Sequence, residues 1–93
     1  MIIGARVWEL HLPGCSSLKE KRQIVKSLKD RLHNQFNLSV AETAHQELLQ
    51  RAEISACVVS NERRHADSVL SAADRLVEGE WRARIIDTTT IFY

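Results

Sequence analysis

Segments with helical periodicity alternate along the chain with segments of strand periodicity, and this order limits the possible folds more than any other feature. Residues 2–12 alternate in polarity with a period of two, which predicts a strand, and Pro13-Gly14 ends the pattern. Apolar residues recur at helical spacing in residues 17–36 and 62–78, which predicts two helices. Three further segments have the composition of strands: 37–43, 53–60 and 81–93. The predicted order is β-α-β-β-α-β.

This order is typical of the ferredoxin-like split βαβ sandwich. It predicts an α+β fold with a four-stranded antiparallel sheet, strand order 4-1-3-2, and both helices on one face. Ninety-three residues fit a single ferredoxin-like domain, residues 1–93, with little room for a second core. The second face of the sheet is expected to be open or to pair with a partner.

The first predicted helix opens with an unusual concentration of positive charge. Ser17 and Glu20 form a capping box that marks its start. Lys19, Lys21 and Arg22 follow in the opening turn, where each exposed cation costs about 0.3–1 kcal/mol against the positive end of the helix dipole. A bound anion would offset that cost, so the segment is a candidate anion site.

The charge distribution supports a basic face on this helix. Residues 1–36 hold seven Lys or Arg against three acids, whereas residues 37–80 hold four against eight. A projection at about 100° per residue places Lys19, Arg22, Lys26, Lys29 and His33 along one ridge. Lys21 projects among the apolar positions, and its ammonium is expected to extend outward to water. The predicted nucleic-acid or anion-binding residues are therefore Ser17, Lys19, Lys21, Arg22, Lys26 and Lys29. The alternative is a solvated helix face, partly neutralised by Glu20 and Asp30.

The first strand offers a second candidate surface. Its alternation places Ile3, Ala5 and Val7 on one side, which is expected to face the helices. The other side is expected to be an open or dimer-forming sheet face that carries Arg6, Trp8 and Leu10, with Arg82 and Arg84 from the last strand. An aromatic ring among arginines can stack a base. The third strand lacks the aromatic residues of RNA-recognition-motif sheets, so a homodimer contact is the favoured interpretation.

No segment of the sequence predicts catalysis. There is no phosphate-binding glycine loop, no metal-ligand spacing among the four histidines, and no assignable base for Cys15. We therefore predict a protein that is not an enzyme and needs no metal or cofactor. The opening residues lack the features of a signal peptide, and no apolar run is long enough to cross a membrane, so the expected location is the cytoplasm.

Two runs of sequence resemble the YlxP-like family of bacterial domains of unknown function: "SLKEKRQIVKSLKDRLHNQFNLSVAE" and "QRAEISACVVSN". The resemblance covers nearly the whole chain and implies a ferredoxin-like βαββαβ domain without known catalytic residues. Members tend to be encoded beside translation-initiation and ribosome-maturation genes, which implies a connection with RNA or the ribosome. The motif positions that map onto this chain have no assigned role: Ser17, Lys19, Lys21, Arg22, Asn37 and Glu42.

Two hypotheses for function follow from the sequence. The first is a small cytoplasmic binding protein that contacts structured RNA or the ribosome through its basic helix. The second is a dimeric interaction or regulatory module that binds a small anion or a protein partner.

Overall fold

The computed structural model describes all residues from 1 to 93. Four strands and two helices follow in the predicted order: β1 (Ile2–His11), α1 (Leu18–Phe36), β2 (Ser39–Ala44), β3 (Arg51–Ser60), α2 (Arg63–Glu78) and β4 (Arg84–Phe92). Neither helix has the length and apolar content that crossing a membrane requires.

The four strands form one antiparallel sheet in the order β2-β3-β1-β4, which confirms the predicted order from the opposite edge. The long strands β1 and β3 lie at the centre, with Ala5 paired to Cys57 and Trp8 paired to Ile54. Each of the two edge pairings contains one register shift. In the β2–β3 pair the shift follows Glu42, and in the β1–β4 pair it lies between Glu9 and Leu10 of β1. Both helices pack on one face of this sheet, so the predicted ferredoxin-like architecture is confirmed.

The prediction of which β1 residues face the helices is wrong. Gly4, Arg6, Trp8 and Leu10 are the buried residues of β1, and they lie beneath the helix layer with Ala52, Ile54, Ala56 and Val58 of β3. Trp8 and Leu10 bury more apolar surface against the helices than Ala5 and Val7 could. Gly4 allows the close approach of α2, since a Cβ at this position would lie 3.1 Å from Leu70 Cδ1.

Helix α1 begins and ends as its sequence predicts. Ser17 Oγ accepts a hydrogen bond from the Glu20 backbone N–H at 3.1 Å, which is the expected capping contact. Asn37 ends the helix in the left-handed conformation (φ 54°), where its N–H donates to the carbonyl of His33. The buried side of α1 packs Ile24, Val25, Leu28 and Leu32 into the core.

Helix α2 begins without a side-chain cap. Its N-cap residue is Glu62, whose side chain makes no capping hydrogen bond. Ser60 Oγ instead accepts from the Glu62 N–H in the turn before the helix. The apolar side of α2 buries Ala66, Leu70, Ala73 and Val77 against β1 and β3.

Candidate functional site

The outward side of α1 carries a row of cations, which we call the basic ridge and define as Lys19, Arg22, Lys26, Lys29 and His33. Lys29 is half-buried and the other four are exposed. At a rise of about 1.5 Å per residue, the ridge extends over roughly 21 Å of the helix. The fold therefore presents the predicted row of cations to the surface.

Most of the charge on the basic ridge has no partner within the protein. Lys26 Nζ lies 2.6 Å from Asp30 Oδ2, and this hydrogen bond is the main cause that holds the pKa of Asp30 below its ordinary value. Lys19, Arg22 and Lys29 take part in none of the ion pairs of the structure. Three unpaired cations thus remain available on one side of the helix.

A groove separates the basic ridge from the edge strand β2. Two adjoining hollows of about 370 and 480 Å³ share Lys29 and Asp30 as lining residues. The hollow near the start of α1 also has Arg22 and Lys26 in its wall. The hollow near its end is lined by His33, Asn37, Leu38, Ser39 and Val40. His33 Nδ1 lies 2.9 Å from the Leu38 carbonyl, which fixes one edge of the imidazole in this wall.

Lys21 was predicted to belong to the anion-binding site, but it lies in the interior of the protein. Its side chain is only 1% exposed, and its ammonium points inward to Glu42 and to the backbone carbonyl of His45. The expectation that the ammonium extends outward is therefore wrong, because a carboxylate of β2 and a loop carbonyl receive the charge inside the protein. Lys21 is a structural cation of the fold and does not belong to the basic ridge.

Ser17 lies at the N-terminal end of the basic ridge. Its hydroxyl oxygen is used as the helix cap, and Glu20 Oε2 accepts a 3.4 Å hydrogen bond from the neighbouring Ser16 N–H. This geometry explains why the sequence has Ser17 and Glu20 at these positions. An additional contact of Ser17 with an anion stays a prediction.

The residues that were predicted to form an open face of the sheet do not form one. Arg6, Trp8 and Leu10 are buried under the helices, and Trp8 has no exposed surface in the single chain. Arg82 lies in the α2–β4 connection and binds Glu80, while Arg84 begins β4 at the rim of a cleft beside α2. The predicted homodimer contact through Trp8 is therefore wrong.

Trp8 and Arg6 are held by a carboxylate that the sequence did not reveal. Arg6 donates from Nε and Nη2 to the two oxygens of Asp74 in α2, at 3.1 and 2.8 Å. Trp8 Nε1 donates to Asp74 Oδ1 at 2.8 Å, and Arg6 Nη1 donates to Thr90 of β4. Residues 6 and 74 are far apart in sequence, so only a strand–helix pairing derived from the fold could have indicated this contact.

One face of the sheet is not covered by the helices. It is formed by the alternate residues of each strand, whose side chains point away from the helices. It carries an apolar group, which we call the open sheet patch and define as Ile3, Ala5, Val7, Cys57, Val59 and Ile91. Val59 is 67% exposed and Ile91 is 40% exposed. The other end of the same face is polar, with Glu9 bound to Arg51 at 2.6 Å and to His45 at 2.8 Å.

The connection between α2 and β4 carries two features that the sequence analysis missed. Glu80 is buried and accepts from Arg82 at 2.8 Å and from Arg31 of α1 at 2.7 Å. The Arg82 guanidinium is the main cause that lowers the pKa of Glu80 to about 2. Trp81, beside them, is 88% exposed, and the Arg82 Cζ lies 5.9 Å from its ring centroid.

Comparison with protein families places this chain among proteins without an assigned activity. A family described as "Protein of unknown function (DUF503)" matches residues 3–90. A relative, "Uncharacterized protein YlxP" from Bacillus subtilis (strain 168), is 36% identical over 62 residues, which cover 67% of each chain.

Solved structures with the same architecture have little sequence in common with this chain. The designed protein Foldit4 superposes with a TM-score of 0.57 at 5% identity, over 100% of this chain and 97% of the design. A design with a ferredoxin fold, LFR1 1, gives a TM-score of 0.55 at 16% identity, over 100% of this chain and 83% of the design. At these identities the similarity shows the fold alone.

Proposed function

The chain belongs to the DUF503 family of proteins of unknown function, and we propose that it is a cytoplasmic, non-catalytic binding protein that contacts structured RNA through the basic ridge. The observation that carries the proposal is the set of unpaired cations Lys19, Arg22 and Lys29 on one side of α1. Of these three, Lys19 lies in the first turn of α1, where a cation is unfavourable in the protein alone. Phosphate groups along the ridge would offset that cost.

The groove beside the basic ridge supports the same proposal. Contacts to phosphate and sugar come from basic side chains together with small polar side chains and backbone N–H groups. Asn37 and Ser39 lie in the groove wall, and the outer edge of β2 has no neighbouring strand. A nucleic-acid backbone that follows the ridge would therefore meet hydrogen-bonding groups as well as charge.

RNA is proposed over other phosphate polymers because the family resemblance links such domains with translation genes. The ridge presents mainly positive charge and carries no Phe, Tyr or Trp side chain, so it would contact the backbone of a structured RNA rather than unstacked bases. A DNA duplex of equal length is the comparison that separates RNA recognition from general attraction to phosphate.

The test is a comparison of two variants with the same change in net charge. In the ridge variant, the four changes are Lys19→Gln, Arg22→Gln, Lys26→Gln and Lys29→Gln. In the control variant, four exposed arginines outside the ridge are replaced by Gln: Arg63, Arg64, Arg75 and Arg84. Lys21 is left intact in both because it is buried.

Binding of a fluorescent ribosomal RNA fragment is measured by anisotropy at low salt. The ridge variant is expected to lose most of the affinity, and the control variant is expected to keep it. Equal affinities of the wild type and the ridge variant would contradict the proposal. Equal loss in the two variants would show that net charge, and not the ridge, attracts RNA.

A second candidate function, homodimerisation, is favoured by the open sheet patch. Ile3, Ala5 and Val7 of the central strand β1 lie on a face that no helix covers, next to the exposed Val59. Antiparallel sheets with one solvated face usually carry polar residues there. A second copy packed through the same patch would remove this apolar surface from water.

Sedimentation at micromolar concentration tests this candidate. The wild type is expected to form a dimer, and Val7→Lys with Val59→Lys is expected to give a monomer of unchanged fold. Ser68→Lys on the exposed side of α2 is the control and should leave the dimer intact. A monomeric wild type would exclude the dimer.

A further inference from the structure

A cleft between α2 and the edge strand β4 shares no residue with the basic ridge or the open sheet patch. Its volume is about 620 Å³, which is within the usual range for small-molecule sites. Four charged residues, two of each sign, line it together with a hydroxyl and an aliphatic side chain: Arg6, Arg84, Asp74, Glu78, Thr88 and Ile85.

The inner wall of the cleft is joined by hydrogen bonds and retains unused hydrogen-bonding capacity. Arg6 is 8% exposed, and its guanidinium has five N–H donors, of which three are used by Asp74 and Thr90. Asp74 is fixed from a second direction by the Trp8 indole. A buried guanidinium with two free N–H groups beside a cleft can donate to an anionic ligand group.

The rim of the cleft adds one charge of each sign. Glu78, in the last turn of α2, and Arg84, at the start of β4, are both exposed. Neither takes part in any of the ion pairs of the structure, with each other or with Arg6 and Asp74. The cleft thus offers an unpaired anion and an unpaired cation at its opening.

We propose that this cleft binds a free α-amino acid with a small aliphatic side chain. A simple anion in the cleft would face Glu78 and Asp74, and a simple cation would face Arg84 and Arg6. A zwitterion satisfies both pairs, with its carboxylate on Arg84 and the free Arg6 donors and its ammonium on Glu78 and Asp74. The apolar surface of Ile85 and Ala83 accommodates the side chain.

The experiment is a titration of the isotope-labelled full chain with L-alanine and L-valine, followed through backbone amide NMR shifts. N-acetyl-L-alanine lacks the ammonium and L-alaninamide lacks the carboxylate, so each probe removes half of the proposed recognition. Saturable shifts confined to the cleft residues are expected with the two amino acids at millimolar concentration, and weaker binding is expected with both modified probes. Absence of saturable shifts with both amino acids, or equal binding of the modified probes, would overturn the proposal.

Two rim variants identify the site. Glu78→Gln and Arg84→Gln leave Arg6 and Asp74 in place, so the fold should be unchanged, as checked by the melting temperature. Each is expected to weaken amino-acid binding by about tenfold or more, because each removes a charge-assisted hydrogen bond. Arg75→Gln, on the side of α2 that faces α1, is the matched control and should bind like the wild type. Wild-type affinity in both rim variants would also overturn the proposal.

Discussion

The ammonium of Lys21 lies 3.0 Å from Oε2 of Glu42, in a position where Lys21 is 1% exposed. Glu42 Oε2 accepts no directed hydrogen bond, so the contact is an ion pair that depends on charge and proximity. The same ammonium donates to the backbone carbonyl of His45, a residue in the left-handed conformation (φ 64°) just after β2. One buried cation therefore ties α1 to the edge strand and to the loop that leaves it.

Removing the charge of Lys21 should destabilise the protein strongly. Lys21→Met keeps the length of the side chain but leaves the carboxylate of Glu42 without a partner. We expect a loss of about 2–4 kcal/mol, somewhat less than for a fully buried pair because Glu42 is 16% exposed. Urea unfolding measures this loss. Lys19→Met on the exposed side is the control, and an equally small effect of both changes would refute a structural role of Lys21.

A double variant tests whether the cost comes from the unpaired carboxylate. Lys21→Met combined with Glu42→Leu removes both charges and should recover most of the stability lost in Lys21→Met. Stability that stays at the level of the single variant would mean that the hydrogen bond to His45 dominates.

Glu80 should make the stability of the protein depend on acid pH. Its pKa in the folded chain is about 2, against an ordinary value of 4.5, because Arg82 and then Arg31 bind the carboxylate. A group with a lowered pKa contributes its stability above pH 4.5 and loses it progressively as the pH falls toward 2. The difference between these two pKa values corresponds to about 3 kcal/mol of free energy of unfolding. The partial exposure of both arginines reduces this contribution to about 2 kcal/mol.

The measurement is a series of urea midpoints for the wild type and Glu80→Gln. The variant should be less stable by about 2 kcal/mol at neutral pH, and the gap should close between pH 4.5 and pH 2. Glu78→Gln changes an exposed, unpaired neighbour and should follow the wild-type profile. A gap for Glu80→Gln that stays constant with pH would contradict the assignment.

The two tryptophans should differ in both stability effect and spectroscopy. Trp8 has no exposed surface in the single chain, so Trp8→Ala should lower the free energy of unfolding by about 3–5 kcal/mol. Trp81 is 88% exposed, and Trp81→Ala should change stability by less than about 0.5 kcal/mol. Iodide quenching of fluorescence provides an independent check, since Trp81→Phe should remove the quenchable emission. Quenching that persists in this variant would show that Trp8 reaches solvent.

RNA binding through the basic ridge should show a defined salt dependence. If Lys19, Arg22, Lys26 and Lys29 each neutralise one phosphate, the slope of log Kobs against log salt should be about −3 to −4. Arg22→Gln alone should make the slope less negative by about 0.7–0.9, while Lys21→Met should leave it unchanged because Lys21 is buried. A slope near zero for the wild type would exclude phosphate contacts as the source of affinity.

Local periodicity was sufficient to predict the order of the elements and the limits of α1. The alternation of residues 2–12, the cap at Ser17 and the apolar spacing that follows are all short-range features of the chain. Such features bias the backbone before any long-range contact forms. The βαββαβ order then left few topologies, so the strand order also followed from the sequence.

The contacts of individual side chains required the folded structure. An alternation with a period of two defines two faces of β1 but does not say which face the helices cover, and the packing of Trp8 and Leu10 made that choice. Charged residues gave a similar ambiguity, because Lys19 and Lys21 are near neighbours in sequence and yet one is exposed and the other buried. Ion pairs such as Arg6–Asp74 and Arg31–Glu80 join residues that are distant along the chain. Their formation depends on distances that exist only after the helices have packed on the sheet.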